Sequence, residues 1–267
     1  MKIEVLLSTM FYEYEPDDFL SHMNIQSDII IGNQCDCDEN MTLSYNGNTV
    51  KILSRSERGV GKNRNNCLFN SYADIVMFAD NDVCYYGGYK EKIEEYYKKN
   101  PKADMVIFNF KEKRGDEPIH DINVLNKKAR LKDLTKFGTW AITAKRESII
   151  KKRISFSLLF GGGSKFSMGE DSLFLNDCYK AGLNIYLSDI TLGEVIHKES
   201  TWFKGINEKY VSDRGALFRA MSPKMYKFII LWHVLKHRDL YSNFGNSKTI
   251  KKIMLKGAKK YELYGAL

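Results

Sequence analysis

Two aspartates follow a stretch of the chain that has the composition of a buried strand. Residues Asp74 to Ala79 are rich in β-branched and aromatic side chains, and the run ends at once in Asp80-Asn81-Asp82. Carboxylates at the carboxyl end of a central strand lie where open α/β sheets bind their ligands. Such a pair can hold a hard divalent cation that takes its other ligands from water and phosphate, so the triplet predicts a metal-bound diphosphate. The alternative is a simple turn that ends the strand.

A glycine loop near residue 160 precedes a second pair of acids. Gly161, Gly162 and Gly163 follow one another, and a run of glycines lets the backbone approach a ligand closely. The spacing of Ser167 and Glu170 is that of a capping box, in which each side chain accepts a hydrogen bond from the other residue's backbone N–H. We therefore expect a helix to begin just after Ser167 and to end near residue 181, before a glycine terminator.

Asp171 falls in the first turn of this predicted helix. It shares a face with Phe174 and Cys178, and this face should point into the protein. A carboxylate that points inward beside a glycine loop is a candidate general base, because it can take a proton from a bound hydroxyl group. The alternative is a surface acid that only complements the positive end of the helix dipole.

A basic segment with two glycines precedes the strand described first. It runs from Arg55 to Asn66 and leads into a helix that should end near residue 72. Arg64 occupies the position of the third glycine of a dinucleotide-binding fingerprint, and Asn63 stands where a Walker loop needs serine or threonine, so both motifs are excluded. Arg58, Lys62 and Arg64 can bind anionic oxygens together with backbone N–H groups at the helix start. A solvated basic helix start is the alternative.

Three further positions carry side chains that suit a binding site. Ser8, Thr9 and Met10 follow the first apolar run of the chain, at the strand end where a pocket is expected. His197 follows a late strand, and its imidazole can complete the shell of a manganese-like ion, although a single histidine is more often structural. Trp202 can stack on a sugar or a base, or simply pack.

The apolar runs that position these residues indicate an α/β fold. Strands are predicted near 3–8, 28–31, 50–53, 74–79, 103–110, 140–144, 184–187 and 193–196, and helices near 16–23, up to 72, 89–99, 145–152, 168–181, 226–236 and 248–260. Strands that alternate with helices predict a mixed, mostly parallel sheet flanked by helices. The polar stretch from residue 111 to 136 carries no predicted element.

Composition is that of a folded protein with one large domain, or with one domain and an appendage. The 267 residues are 43% hydrophobic and 28% charged, which disfavours disorder. The apolar run Val5 to Leu7 is too short for a signal peptide, and the run from Phe228 to Leu235 is far shorter than the roughly 20 residues that span a bilayer. A protein without an export signal or a membrane span is expected in the cytoplasm.

The five cysteines agree with that expectation. An odd number cannot pair completely, and without an export signal the residues are expected to be reduced thiols. Cys35 and Cys37 are close in sequence, but a zinc site needs a second pair at suitable spacing. Neither a disulfide framework nor a zinc site is therefore predicted.

The positive charge of the chain lies in its last quarter. Of the formal net charge of +8, residues from Lys204 onward carry 14 basic and 4 acidic side chains, or +10, which leaves −2 for the rest. A polybasic segment attracts anionic membranes or nucleic acid, whereas a solvated helix face is the plain alternative. No nucleic-acid-binding motif is present, so nucleic acid is the least favoured partner.

Taken together, four motifs resemble those of the family-2 glycosyltransferases. In chain order they are Ser8-Thr9, Arg58-Gly59 through Arg64-Asn65, Asp80-Asn81-Asp82 and Gly169-Glu170-Asp171. The resemblance covers residues 1 to 203 and implies a Rossmann-like GT-A catalytic domain, followed by a basic helical extension over residues 204 to 267. It also implies sugar transfer from a nucleotide-diphosphate donor, with UDP expected, to a glycan or lipid-linked acceptor of a surface polysaccharide. Such an acceptor would suit a tail that rests on the inner membrane surface.

The resemblance assigns roles to individual residues. Asp82, with Asp80 and His197, would hold Mn²⁺ or Mg²⁺, and Asp171 would deprotonate the acceptor in an inverting reaction. Donor contacts are implied for Ser8, Thr9, Met10, Asn33, Arg58, Lys62, Arg64, Asp80 and Asn81. Acceptor contacts are implied for Gly162, Gly163, Glu170 and Trp202. No glutamine- and arginine-rich motif follows Asp171, which disfavours a synthase of long homopolymers.

Two other functions remain open from the sequence. The same scaffold can hold a nucleotide or glycan without chemistry, as a binding module. It can also serve a nucleotidyltransferase, which would release pyrophosphate rather than a nucleoside diphosphate.

Overall fold

The computed structural model of the chain describes residues 1–11, 16–115, 117–197 and 205–265. The strands are β1 (Ile3–Met10), β2 (Asp28–Gln34), β3 (Glu39–Tyr45), β4 (Asn48–Arg55), β5 (Ile75–Asp80), β6 (Val83–Tyr85), β7 (Met105–Arg114), β8 (His120–Asp121), β9 (Lys127–Lys128), β10 (Ile142–Lys145) and β11 (Ile185–His197). The helices are α1 (Pro16–His22), α2 (Val60–Asn70), α3 (Tyr89–Lys99), α4 (Arg146–Lys151), α5 (Glu170–Lys180), α6 (Glu208–Met221), α7 (Tyr226–Lys236) and α8 (Ser247–Gly265). Short 3-10 helices cover Leu131–Asp133, Thr139–Ala141 and Asp239–Phe244.

The strands form one mixed sheet in the order β3-β4-β2-β1-β5-β10-β7-β11-β6. Strands β4, β2, β1 and β5 run parallel to one another, and β7 runs parallel to β11. Strand β10 is antiparallel to both of its neighbours, while β3 and β6 close the two edges as antiparallel strands. This arrangement confirms the predicted α/β fold with a mixed, mostly parallel sheet.

The central strands are buried on both faces, as parallel strands covered by crossover helices must be. In β1 and β2, consecutive residues such as Val5, Leu6 and Leu7 are all almost completely buried. The pairing register of β1 with β5 places Ser8 opposite Asp80 at the carboxyl ends of the two strands. The same sheet edge therefore carries the ends of β1, β2 and β5, where the sequence predicts the binding site.

Several elements differ from the sequence prediction because long-range pairing decides them. Strand β3 was not predicted, although the Asn46-Gly47 pair is a typical hairpin signal and joins it to β4. The two late strands predicted separately are one strand, β11, whose register against β7 shifts between Leu187 and Glu194. Residues 83–85 and part of the polar stretch 111–136 also pair with the sheet, as β6, the end of β7, β8 and β9. Helix α6 was not predicted.

The C-terminal helices pack on each other and on the segment that contains the glycine loop. A small apolar cluster joins Phe160, Phe166 and Leu173 to Ala216 and Leu217 of α6. A second cluster holds α6, α7 and α8 together. Among the described residues, none of the helices combines the length and the apolar character that crossing a bilayer requires.

Glycines allow α6 and α8 to approach at backbone distance. A Cβ atom on Gly215 would overlap the carbonyl oxygen of Met254, and one on Gly257 would overlap that of Ser212. Neither neighbour can move easily, because both are backbone atoms inside helices. We therefore expect Gly215→Ala to lower the free energy of unfolding by about 1–3 kcal/mol, despite the better helix propensity of alanine.

The control for this prediction is Gly87→Ala, since a Cβ atom there meets nothing within 4 Å. Urea denaturation of both variants measures the difference. A Gly215→Ala protein as stable as the wild type would show that α6 and α8 are not in such close contact.

Candidate active site

One buried arginine gathers three carboxylates at the carboxyl end of the sheet. The guanidinium of Arg64 donates to Asp80 Oδ1 at 3.0 Å, to Glu170 Oε1 at 3.1 Å and to Asp171 Oδ1 at 2.8 Å. The Arg64 side chain is 4% exposed, whereas those of Asp80 and Asp171 are 32% and 27% exposed. We call these four residues the Arg64 cluster. Asp80 and Asp171 are thus partly exposed, whereas the arginine is enclosed.

Three separate elements deliver the cluster. Asp80 is the last residue of β5, Arg64 lies in the middle of α2, and Glu170 and Asp171 open α5. Helix α5 begins after Gly169, whose φ of +98° is a left-handed conformation that favours glycine. Both acids of the first turn lie at the positive end of the helix dipole, which stabilises their charged forms.

The predicted capping box at the start of α5 is wrong. The N-cap residue is Gly169, and no side chain caps the helix. Ser167 instead donates from its backbone N–H and from its hydroxyl to Asp213 Oδ2, both at 2.9 Å. Asp213 belongs to α6 and is 1% exposed. Ser167 therefore binds a buried acid far along the chain rather than capping α5 as its local spacing had predicted.

The surroundings of Arg64 hold its side chain in place. Its guanidinium carbon lies 5.6 Å from the centre of the Phe156 ring, a cation–π distance, and Phe156 stacks on Phe174 at 4.0 Å. The neighbouring Asn65 donates to the Phe156 carbonyl and accepts from its backbone N–H, at 2.9 and 2.8 Å. The Arg64 side chain is thus held on one side by packing against Phe156 and on the other by hydrogen bonds to its three acids.

Electrostatics in the cluster favour a proton on Asp171. Burial raises the pKa of the Asp171 carboxyl, the charge of Glu170 raises it further, Arg64 opposes the shift, and the pKa reaches about 8. Burial also raises the pKa of Asp80; Arg64 opposes this and the charge of Asp82 adds to it. Burial lowers the pKa of Arg64, but the charges of its acids outweigh that effect and raise the pKa further above its ordinary value. Asp171 therefore has the affinity for a proton that a general base needs near neutral pH.

Thr139 also contacts the candidate base. Its hydroxyl donates to Asp171 Oδ1 at 3.2 Å from the short 3-10 helix Thr139–Ala141. The same oxygen accepts from Arg64, so this contact and the arginine together orient the carboxylate. Nothing local in the sequence marks Thr139, because its partner lies 32 residues away.

The glycine loop is tied to the start of α2. The Gly162 carbonyl accepts from the Val60 backbone N–H at 2.9 Å. Gly161 has a φ of +103°, and a Cβ atom there would lie 2.5 Å from Val60 and 2.8 Å from the Glu170 carboxyl carbon. The glycine loop thus packs closely against Val60 and Glu170 of the protein itself. Gly163 also adopts a positive φ, of +76°.

The ends of β1 and β2 carry a polar network that the sequence predicted only in part. Ser8 and Thr9 are buried, and Thr9 pairs with Asn33 in the sheet. Asn63 of α2 donates to Ser8 Oγ at 2.9 Å and to the Gly32 carbonyl at 2.7 Å. Asn33 donates to Ser54 Oγ at 3.3 Å, and the half-buried Met10 follows at the strand end.

The two other basic residues of the predicted anion site lie away from the Arg64 cluster. Arg58 donates to the Cys35 carbonyl at 2.6 Å and pairs with Asp36. Lys62 pairs with Glu57 at 3.4 Å and is 41% exposed. The sequence predicted that Arg58, Lys62 and Arg64 bind one anion together. In the structure, Arg58 and Lys62 lie at the surface near the end of β2, whereas Arg64 binds acids of the protein.

The residues present fit a divalent cation beside Asp80 and Asp82. The described residues contain no group of three or more histidine, cysteine or acidic side chains placed to hold a metal by themselves. Asp80, Glu170 and Asp171 share one guanidinium, however, and Asp82 adds an acid whose charge is felt at Asp80, so negative charge exceeds positive charge even with a proton on Asp171. This excess of negative charge favours a hard cation that draws its remaining ligands from water and a diphosphate.

Three predicted residues add little to this picture. Asn81 is exposed in the turn after β5. His197 ends β11, but its side chain is not among those described. Trp202 lies outside the described residues.

Comparison with known proteins shows which fold the chain adopts. The chain is similar to solved structures of S. aureus TarS 1-349 in complex with UDP-GlcNAc, with 12% identity and a TM-score of 0.65 over 98% of this chain and 92% of that one. It is also similar to the mannosyltransferase PcManGT from Pyrobaculum calidifontis in complex with GDP-Man and Mn²⁺, with 11% identity and a TM-score of 0.53 over 97% and 86% of the two chains. At these identities the likeness establishes the fold. A comparison with curated protein sequences gave no match.

The fold is the GT-A fold, a mixed and mostly parallel sheet flanked by helices. Residues 35–156 match the sequence model of glycosyl transferase family 2. This match covers less than half of the chain and contains two of the four motifs, Arg58-Gly59 through Arg64-Asn65 and Asp80-Asn81-Asp82, so it supports the predicted resemblance to this family.

Proposed function

We propose that the protein transfers a sugar from a UDP-sugar to a hydroxyl group of a glycan or lipid-linked glycan, with inversion at the anomeric carbon and with Asp171 as general base. The observation that supports this most directly is the Arg64 cluster, in which a base candidate and the acid of β5 are bound to the same guanidinium within 3.0 Å. The proposed proton acceptor and the proposed donor-side carboxylate therefore contact the same guanidinium.

The proposed reaction follows from these positions. The acceptor oxygen forms a bond to the anomeric carbon while the bond from that carbon to the diphosphate oxygen breaks. Asp171 takes the acceptor proton, and the nucleoside diphosphate leaves with the electron pair of the broken bond. Orientation of Asp171 by Arg64 and Thr139 contributes to the rate because the carboxylate is held in place before the reaction.

Asp80 and Asp82 are the residues that would hold Mn²⁺ or Mg²⁺. When bound there, the cation would offset charge on the departing diphosphate. The ends of β1 and β2, with Thr9 and Asn33, are proposed to seat the nucleotide, and the surface residues Arg58 and Lys62 to lie near it.

Assays of donor binding and turnover test the proposal. Thermal-shift measurements with a panel of nucleotide sugars, with and without Mn²⁺, identify the donor as the compound that stabilises the protein. Slow hydrolysis of that donor should release UDP and free sugar. Release of pyrophosphate would instead indicate nucleotidyl transfer, and binding without any turnover would contradict the proposed chemistry.

Asp82→Asn should weaken the metal-dependent part of donor binding. Even outer-shell partners of metal sites contribute about tenfold or more to affinity, so loss of a direct ligand should cost at least that much. Titration calorimetry with UDP-sugar at fixed Mn²⁺ concentrations measures this effect. Asp189→Asn is a matched control, since Asp189 is exposed in β11. Equal manganese dependence in Asp82→Asn and wild type would remove Asp82 from the metal site.

The location of the protein in the cell stays a prediction from the sequence. The proposed lipid-linked acceptor and the basic tail favour a cytoplasmic protein that meets the inner face of the cell membrane.

A further inference from the structure

Helix α7 presents an apolar stripe to solvent. Phe228, Leu231, Trp232 and Leu235 follow the spacing i, i+3, i+4 and i+7, which places them on one face. The side chains are 67%, 41%, 59% and 63% exposed, respectively. We call these four residues the α7 stripe. Exposed apolar patches of adjacent large side chains mark interaction sites more often than single exposed residues do.

The orientation of the stripe is fixed by the opposite face of the helix. Ile230, His233 and Val234 are buried in the cluster formed with α6 and α8. His233 lies 2.8 Å from the Tyr241 hydroxyl, with which it shares a hydrogen bond. Rotation of α7 that hid the stripe would expose this packed face, so the exposure of the stripe is built into the fold.

Basic side chains border the stripe on both sides. On a helix with 100° per residue, Lys227 and Lys236 fall on opposite edges of the apolar face. Helix α7 contains no acidic residue, and the neighbouring α8 carries Lys248, Lys251, Lys252, Lys256, Lys259 and Lys260. The Lys236 ammonium lies 4.7 Å from the Trp232 ring centre, which keeps its charge beside the aromatic anchor. An apolar face between two cationic edges matches a surface of anionic headgroups over hydrocarbon.

We infer that α7 binds the surface of an anionic phospholipid bilayer, with the α7 stripe at the boundary of headgroups and acyl chains. Lys227 and Lys236 extend toward the phosphate groups, since long basic side chains keep their charge in the headgroup layer. The surface patch lies on the tail rather than at the Arg64 cluster, so this inference does not depend on which sugar or acceptor the enzyme uses.

A second copy of this chain is a poorer partner for the same face. Two α7 helices packed stripe to stripe would bring their basic edges together with no acid on either helix to neutralise them. Nucleic acid would satisfy the lysines, and its bases could stack on Phe228 and Trp232, but it offers no apolar surface to Leu231 and Leu235. Of these three partners, the bilayer suits both the apolar and the basic side chains.

Vesicle flotation tests the inference with the full chain. Vesicles of phosphatidylcholine with phosphatidylglycerol should carry the wild-type protein, and vesicles of phosphatidylcholine alone should carry much less of it. The variant Phe228→Ser/Trp232→Ser should bind the anionic vesicles roughly tenfold or more weakly, because it removes the two largest inserted side chains. Its melting temperature should match that of the wild type, since both residues are already exposed.

The matched control is Phe69→Ser/Tyr72→Ser, which removes two exposed aromatic side chains elsewhere in the chain. It should float as the wild type does. Failure of the wild type to float with anionic vesicles overturns the inference, and so does equal flotation of the two double variants. Sedimentation velocity adds a further check: a dimer that the Phe228→Ser/Trp232→Ser variant dissociates would assign the face to a second copy instead.

Discussion

The Asp171→Asn enzyme should transfer sugar about 10²- to 10⁴-fold more slowly than the wild type and should bind the donor with unchanged affinity. Asparagine keeps the size of the side chain and can still accept from Arg64 and Thr139, but its amide cannot take a proton at the pH of the reaction. The loss should therefore fall on kcat rather than on donor binding. Initial rates at saturating donor, with affinity measured separately by calorimetry, distinguish the two effects.

The pH dependence of stability gives the same residue a second test. Because the pKa of Asp171 is about 8 in the folded protein and that of an unperturbed aspartate is 3.8, the folded state binds a proton that the unfolded state releases between these limits. Wild-type stability should then fall as pH rises from about 4 to 8, and this contribution should be absent from Asp171→Asn. The difference in melting temperature, variant minus wild type, is expected to grow across that range.

Wild-type activity should in turn rise as pH approaches 8 and the base loses its proton.

Asp177→Asn is the control for both measurements. Asp177 lies in the same helix α5, and its pKa is also raised by burial, but the side chains that act on it are Asn176 and Lys180, which do not belong to the Arg64 cluster. It should retain near wild-type turnover. Wild-type turnover by Asp171→Asn would refute the assignment of Asp171 as the base.

Sequence patterns predicted which acids lie together at the sheet edge because the positions of those acids depend on local structure. A strand of buried residues that ends in Asp80 can be read from composition, and so can an acid in the first turn of a helix such as Asp171. Parallel strands bring their carboxyl ends to one sheet edge, so the prediction that distant acids converge follows from the fold class alone. In the structure, Asp80 and Asp171 do meet at that edge, 91 positions apart in the chain.

The partners of these residues could not be read in the same way. Arg64 was expected to face a nucleotide because it stands near a helix start beside two other basic residues, but its burial depends on Phe156 and on acids 106 and 107 positions away. Ser167 has the spacing of a helix cap, and only the distant Asp213 explains why it does not act as one. Local secondary-structure propensity does not predict such contacts, because their energy arises from tertiary packing.

Arg64→Met should lower the free energy of unfolding by about 3–5 kcal/mol, the range found when one partner of a buried ion pair is removed. Methionine preserves much of the side-chain volume and its packing on Phe156, so the loss should come from charge rather than from a cavity. Without the guanidinium, Asp80, Glu170 and Asp171 repel one another in a partly buried site. The effect should be larger at pH 8 than at pH 5, because protonation at low pH removes that repulsion.

A surface arginine provides the comparison for this variant. Arg219 pairs with Glu262, which is 42% exposed, so Arg219→Met should cost no more than about 1 kcal/mol. Chemical denaturation at both pH values measures the two variants on the same scale. Removal of one acid should also restore part of the stability that Arg64→Met loses. The double variant Arg64→Met/Asp171→Asn is therefore expected to be more stable than Arg64→Met alone, a coupling that residues in contact show. If the double variant is no more stable, the guanidinium does not serve to hold these carboxylates together, and Arg64 would instead be free to contact the donor as its sequence position suggests.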